Sequence, residues 1–271
     1  MGFGKTKYKE FTDFDPGKGG SKIWFKAAFP GSGQSTRYRV RILPPTESND
    51  TGFPAISAPL HYWANFGEKR PEGVTPGVSA VVKKKDNKDL ASEIYFALKD
   101  FFDNKSPEHA ALLRLAPQTR IYVGLIHKAT DKTEIPVENQ IPQIFSMTYP
   151  AWDGFKKKFD IYVEAGTPLD DLSDKGHDMF LYTNGGPPKK YTWDVDPAPS
   201  AVGLDLDFIA ENAVDLQAEA FKNQLTQEQC SEWVRPVLGE FYDTIVAAYE
   251  KQTGIKLTAT IPDTEDLGEA V

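Results

Sequence analysis

RYRVRILPP, residues 37–45, sets Arg37, Arg39 and Arg41 on every second position and then stops on two prolines. Successive side chains of a strand point to opposite faces, so Tyr38, Val40 and Ile42 share one face and the three arginines share the other. Proline has no N–H to give to a ladder, and Pro44 and Pro45 therefore end the strand. Three like charges side by side repel one another. Either they form the solvated face of an antiparallel strand, or a polyanion lies across them.

Outward from this strand the alternation recurs. KIWFKAAF (22–29) sets Lys22, Trp24 and Lys26 against Ile23, Phe25 and Ala27, and the turn PGSGQST predicts a hairpin between it and RYRVRIL. TRIYVGLI (119–126) reads as a strand with Ile121, Val123 and Leu125 on one face and Arg120 and Tyr122 on the other. IPQIFSMTY (141–149) is a further strand, ended by Pro150, and HDMFLYT (177–183) with KKYTWDV (189–195) flank the turn NGGPP as a last hairpin. Helical spacing appears at 89–102, at 106–115, where Ser106 caps and Pro107 opens the helix, and at 152–163 despite Gly154. Past a linker, DPAPSAVG (196–203), acidic helices follow, with Trp233, Val237, Phe241, Ile245 and Tyr249 as an apolar stripe that Pro236 should kink or restart. Five or six antiparallel strands with an inserted helix predict a mainly β fold with added α, a small barrel rather than a βαβ architecture. The expected division is a flexible basic arm (1–21), a barrel domain (22–200), an acidic helical region (201–260) and an acidic tail (261–271).

The net charge of −8 conceals an asymmetry. Residues 1–160 carry 24 Lys+Arg and 18 Asp+Glu, a net of +6, while residues 161–271 carry 7 and 21, a net of −14. A basic working region followed by an acidic one is expected, so the whole-chain charge misleads about partners. Cys230 is the only cysteine, which excludes an intrachain disulfide and a thiolate zinc cage. No apolar run approaches the roughly 20 residues of a membrane span. A cytoplasmic protein without a membrane partner is expected.

Four strands each set cations and aromatics together: Lys22/Trp24/Lys26, Arg37/Arg39/Arg41, Arg120/Tyr122, and Lys189/Lys190 beside Tyr191/Trp193. A groove for single-stranded nucleic acid needs this mixture, since cations track phosphates and rings stack on bases. The same rings would serve equally as core residues whose charged neighbours snorkel. Further candidates for the DNA contact are His61, Trp63, Lys83, Lys84, Lys85, Tyr149, Trp152, Lys156 and Lys157. Enzyme signatures are weak. GFGKT (2–6) lacks the strand and first glycine of a phosphate loop, and PGSGQST lacks its lysine. His61, His109, His127 and His177 have no metal-ligand spacing. Asp205, Asp207 and Glu211 define the rival expectation, a magnesium-dependent nuclease or nucleotide-processing enzyme, although acidic residues also favour the first turn of a helix.

From about Ile23 to Val202 the chain resembles the single-stranded-DNA-binding proteins of tailed bacteriophages, the family typified by the T-even phages. The resemblance rests on the order of RVRILPP (39–45), His61-Tyr62-Trp63, Arg120-Ile121-Tyr122-Val123, WDGFKKKF (152–159), LDDLSDKGHDMFLYT (169–183) and YTWDVDPAPSAVG (191–203). It implies an OB-type five-stranded antiparallel barrel with an inserted helical segment and C-terminal helices, and a basic cleft that coats single-stranded DNA in replication, recombination or repair. It further implies self-association along DNA and the cytoplasm of an infected bacterium as the setting. The acidic C-terminus, with Asp263, Glu265, Asp266 and Glu269, is expected to contact replication proteins. Members of the family often hold zinc through cysteines and a histidine. Here His61 stands near that place, but residues 64–100 contain no cysteine, so no zinc and no other cofactor is expected.

Overall fold

The computed structural model describes residues 23–46, 53–61, 79–81, 89–167, 169–187, 190–221 and 234–257. The chain forms two compact units, one from Met1–Ala58 with Thr119–Lys222, the other from Pro59–Gln118 with Asn223–Val271. The architecture is mixed α/β, built on a sheet whose named strands pair antiparallel.

In the first unit, β1 (Ser35–Ile42) is a central strand, flanked by β4 (Gln118–Thr130) and β7 (His177–Asn184). β6 (Pro142–Thr148) and the short β5 (Thr133–Glu134) pair with β4, and β8 (Lys190–Pro199) pairs with β7. The path here runs β6–β4–β1–β7–β8, and β4 is also hydrogen-bonded to β2 (Ala55–His61), whose first residues belong to this unit. Among the described residues no ladder joins β6 to β8, and the barrel is not closed. The alternation predicted for 37–42 and 119–126 is realised: Tyr38, Val40, Ile42, Ile121, Val123 and Leu125 enter one core, which Met179, Leu181 and Trp193 also join.

Two devices bring the free edges together. The helix α3 (Tyr149–Glu164) drives Phe155 and Phe159, one turn apart, into the core, where the Phe155 ring meets Trp193 at 5.2 Å. Burying each such ring stabilises the unit by about 1.5–3 kcal/mol. Residues 23–29 are the second device, and here the predicted hairpin with β1 is corrected. The segment makes only a parallel bridge, Trp24 to Ile144 of β6, with Phe25 N–H donating to Ile144 O at 2.9 Å. Phe25 is the reason: its ring lies in the core against Tyr38, His127 and Phe145. Farther along, Ala28 is held by the Tyr38 and Thr183 hydroxyls, and Phe29 packs on Tyr191 of β8.

The expected boundary between residues 200 and 201 is also corrected. The helices α4 (Leu206–Asn212) and α5 (Leu216–Phe221) belong to the first unit, because Ile209 and Val202 pack on Leu43 and Ile126. The predicted linker is no free linker. β8 runs to Pro199, and the carbonyls of Ser200 and Ala201 accept from Arg41 and Lys128.

The second unit is mainly helical. β2 (Ala55–His61) enters it at Pro59 and pairs with β3 (Ser79–Val81). The helices α1 (Leu90–Leu98), α2 (Pro107–Leu112) and α6 (Tyr242–Thr253) bury Ile94, Leu98, Leu112, Ile245 and Tyr249 in one cluster, joined by Val237 from the predicted stripe. Ser106 caps α2 through the His109 N–H, with Pro107 in the first turn as predicted. The interruption after 234–238 is a 3-10 turn, Gly239–Phe241, after which α6 begins. Gly239 has φ +55°, which favours glycine.

Candidate nucleic-acid interface

One strand organises the outer face of the sheet. Arg120, Tyr122, Gly124 and Ile126 alternate along β4 with an unbroken register against β6, so all four point away from the main core. At Arg120 and Tyr122 the face carries a cation–aromatic track. Trp24, half-buried, lies edge-on over Tyr122 with ring centroids 5.9 Å apart. Thr148 is the residue opposite Arg120, and Tyr149, which follows it, is 63% exposed. Lys26 and Lys190 are exposed and form no ion pair among the described residues. Tyr191 is half-buried between Phe29 and Phe145. Burial pushes its hydroxyl pKa up, while the nearby Arg120 charge opposes that rise.

The middle of the strand is covered. A Cβ at Gly124 would stand 3.3 Å from Leu43, and Ile126 lies beneath the α4 cluster. At the far end, the register against β1 skips Lys128, since Val40 pairs with His127 and Arg39 with Ala129. This bulge accompanies the placing of the Lys128 ammonium 3.0 Å from the buried Asp178 carboxylate.

Asp178 is the hub that decides the arginine row. Arg41 is 0% exposed, and its Nε donates to Asp178 at 2.9 Å. Its other nitrogens donate to the carbonyls of Asp171 and Ser200 and to the Ser200 hydroxyl. Ser200 Oγ in turn donates to Asp178. The loop at Gly176 closes so tightly over this guanidinium that an added Cβ would lie 1.9 Å from Asp171 O. Arg41 therefore does not face a solvent-borne phosphate, which corrects the expectation that the three arginines act together. Arg39, partly exposed, is ion-paired with Glu134 and lies 3.6 Å from Asp178. Arg37 stacks over Phe180 at 4.9 Å and donates to Asp131 O.

Other expected contacts are reassigned by burial. Tyr122 and Trp193 are buried, the first beneath Trp24 and the second in the main core. His61 is buried in the second unit, with Nε2 3.0 Å from Asp89 Oδ1 and 3.1 Å from Ser92 Oγ. Asp89 also accepts from the Ser92 N–H and so caps α1. Burial raises the Asp89 pKa, but the hydrogen bond and charge of His61, with the Ser92 bonds, outweigh it and hold the carboxyl below its usual value. Trp152 packs between Phe53 and Phe155. Lys156 and Lys157 are exposed on α3 and pair with Asp160 and Asp153. Lys22, Trp63, Lys83, Lys84, Lys85, Lys189, Asp263, Glu265, Asp266 and Glu269 lie outside the described residues. Lys128, Asp178 and Ser200 escaped the sequence reading. No local pattern marks them, because their partners are distant in the chain.

No protein-family model matches the chain, and no curated protein matches it. The chemistry of the track is what remains to assign it.

Proposed function

We propose that the protein binds single-stranded DNA with little sequence preference, as a coat and not as an enzyme, through the outer face of β4 and β6. The observation that carries this is the track of Arg120, with Trp24 buttressed by Tyr122, to which the chain adds two exposed cations with no ion pair among the described residues, Lys26 two positions from Trp24 and Lys190 next to Tyr191. Cations hold phosphates by releasing counterions, and the half-buried ring of Trp24 and the exposed ring of Tyr149 offer stacking surfaces that suit any base. The connectivity supports an OB-type fold. β1, β4 and β6 form a meander, α3 follows, and β7 returns to β1 with β8 beside it. In such folds the second and third strands present the oligonucleotide face, and here these are β4 and β6. The seam between β6 and β8 is filled by Phe145 against Tyr191 and Trp193 instead of by a ladder. Replication, recombination or repair of phage DNA in an infected bacterium is the role we propose, with replication proteins meeting the acidic C-terminal region.

The test is quenching of tryptophan fluorescence by oligothymidylate across a salt series. Arg120→Ala should flatten the salt slope by about 0.7, the value of one phosphate contact on a single strand. No binding at low salt would sink the function, and an unchanged slope would remove Arg120 from the site. For the nuclease alternative, Asp205 already serves as the N-cap of α4, accepting from the N–H groups of Asp207 and Phe208. Incubation with magnesium and single-stranded DNA should leave the strand intact.

A further inference from the structure

Of the eight asparagines in the chain, Asn184 alone is followed by glycine. That pairing favours cyclisation, because glycine has no Cβ to shield its nitrogen from the preceding side-chain carbonyl. Asn184 is the exposed last residue of β7, opposite Ser35 of β1 and Lys190 of β8. Its side-chain amide forms no hydrogen bond among the described residues. Gly185 is held fast. Its N–H donates to Gln34 O at 3.0 Å, and its carbonyl accepts from Gly33 N–H at 2.8 Å. An added Cβ would stand 2.0 Å from Pro30 O and 2.1 Å from Gly31 O, so the turn demands glycine at this place. The fold therefore sets a closely packed glycine beside an asparagine that the same glycine leaves open to attack.

We propose that Asn184 is a deamidation site, closed while this turn is intact and open when the end of β7 frays. The Gly185 nitrogen, having lost its proton to solvent, attacks Asn184 Cγ. An N–Cγ bond forms, the Cγ–Nδ2 bond breaks, and ammonia leaves with a proton taken from water, giving a five-membered succinimide. Water then opens the ring. Hydrolysis at Cγ gives aspartate, and hydrolysis at the backbone carbonyl gives isoaspartate, whose main chain runs through the former side chain. The sum converts an amide and water to a carboxylate and ammonia. In the closed turn the nitrogen keeps its proton directed at Gln34 O, and the ladders hold Asn184 extended. Ring closure needs rotation about the bonds between Asn184 and Gly185, and Gly185 has no room to turn between the carbonyls of Pro30 and Gly31. Local opening must come first. The two products then part. Aspartate keeps the backbone and places a carboxylate opposite Lys190. Isoaspartate adds one methylene to the main chain directly before Gly185, where the packing leaves no slack, so the turn cannot close again. A transient opening is thereby made permanent. The inference stands apart from the DNA reading.

Peptide mapping by mass spectrometry of the full chain, incubated in mildly alkaline buffer, is the test, with isoaspartyl methyltransferase labelling to count isoaspartate. Asn184 should deamidate about tenfold or more slowly in the folded chain than in the same chain unfolded in guanidinium chloride. Gly33→Ala should lie between the two. Gly33 has φ +78° and a Cβ there would meet nothing within 4 Å, so alanine strains the turn and loosens the bond to Gly185 O without a clash. After return to native buffer, the isoaspartate-bearing chain should exchange amide hydrogens faster in peptides spanning Pro30 and Gly185, and Asn184→Asp should not. Equal rates in the folded and unfolded chains, no deamidation in either, or an isoaspartate-bearing chain as protected as Asn184→Asp would overturn the inference. So would a Gly33→Ala chain that reacts no faster than the wild type.

Discussion

Replacing Asp178 with alanine should unfold the sheet unit far more readily than any change on its surface. In the wild type this one carboxylate accepts from Arg41 Nε at 2.9 Å, Lys128 Nζ at 3.0 Å and Ser200 Oγ at 3.1 Å, and Arg41 Nη2 lies 2.8 Å away. Its removal leaves a guanidinium with no exposed surface beside a nearly buried ammonium, with only carbonyls and the Ser200 hydroxyl to solvate them. Breaking a buried pair from one side costs about 3–5 kcal/mol. At about 2–4 °C per kcal/mol for a unit of this size, the melting temperature should fall by about 6–20 °C. Two units need not unfold together, so the readout is hydrogen exchange in peptides from β1, β4 and β7, alongside thermal unfolding. The triple variant Arg41→Met/Lys128→Met/Asp178→Leu, which removes every buried charge of the hub and leaves only the partly exposed Arg39, should recover most of the loss. A loss below about 1 kcal/mol for Asp178→Ala, as for an exposed pair, would refute the hub. So would a flatter DNA salt slope in Arg41→Met, which would return Arg41 to the phosphates.

Trp24→Ala should weaken oligothymidylate binding by about 1–3 kcal/mol, the worth of one stacked base, measured by titration of a fluorescently labelled oligonucleotide. An affinity equal to the wild type would make Trp24 a cover for Tyr122 and nothing more. His127 is held below its usual pKa by burial, against the opposing bond from Nε2–H to Ala129 O. The unfolded chain therefore takes up the proton first as pH falls. Stability should be full above about pH 6.5 and decline as pH drops through that value toward the folded pKa, and His127→Phe should flatten the decline in urea titrations between about pH 7 and 5. Gly185→Ala should cost about 1–3 kcal/mol, because its Cβ would stand 2.0 Å from Pro30 O and 2.1 Å from Gly31 O, and backbone must move. Denaturant midpoints would show it.

The period of two in RYRVRIL and TRIYVGLI determined which residues share a face, and the structure keeps every one of those groupings. Local chemistry likewise determined the cap at Ser106 and the helix that carries Phe155 and Phe159, because each depends on neighbours within a turn or two of chain, whereas the break expected at Pro236 falls at Gly239–Phe241. What alternation leaves open is whether a face is covered, since that depends on segments far along the chain. Arg41 is buried by Asp178, 137 residues away, and by Ser200, 159 residues away, and nothing near RYRVRIL encodes either. The same cause moved Phe25 from a predicted hairpin into the core, joined α4 to the sheet through Ile209, and buried Tyr122 under Trp24. Side-chain direction follows from the geometry of a single strand, but solvent access belongs to the packing of several. The sequence alone therefore placed Arg37, Arg39 and Arg41 on one face, and only the tertiary structure divided them into a rim stack, a surface ion pair and a buried anchor.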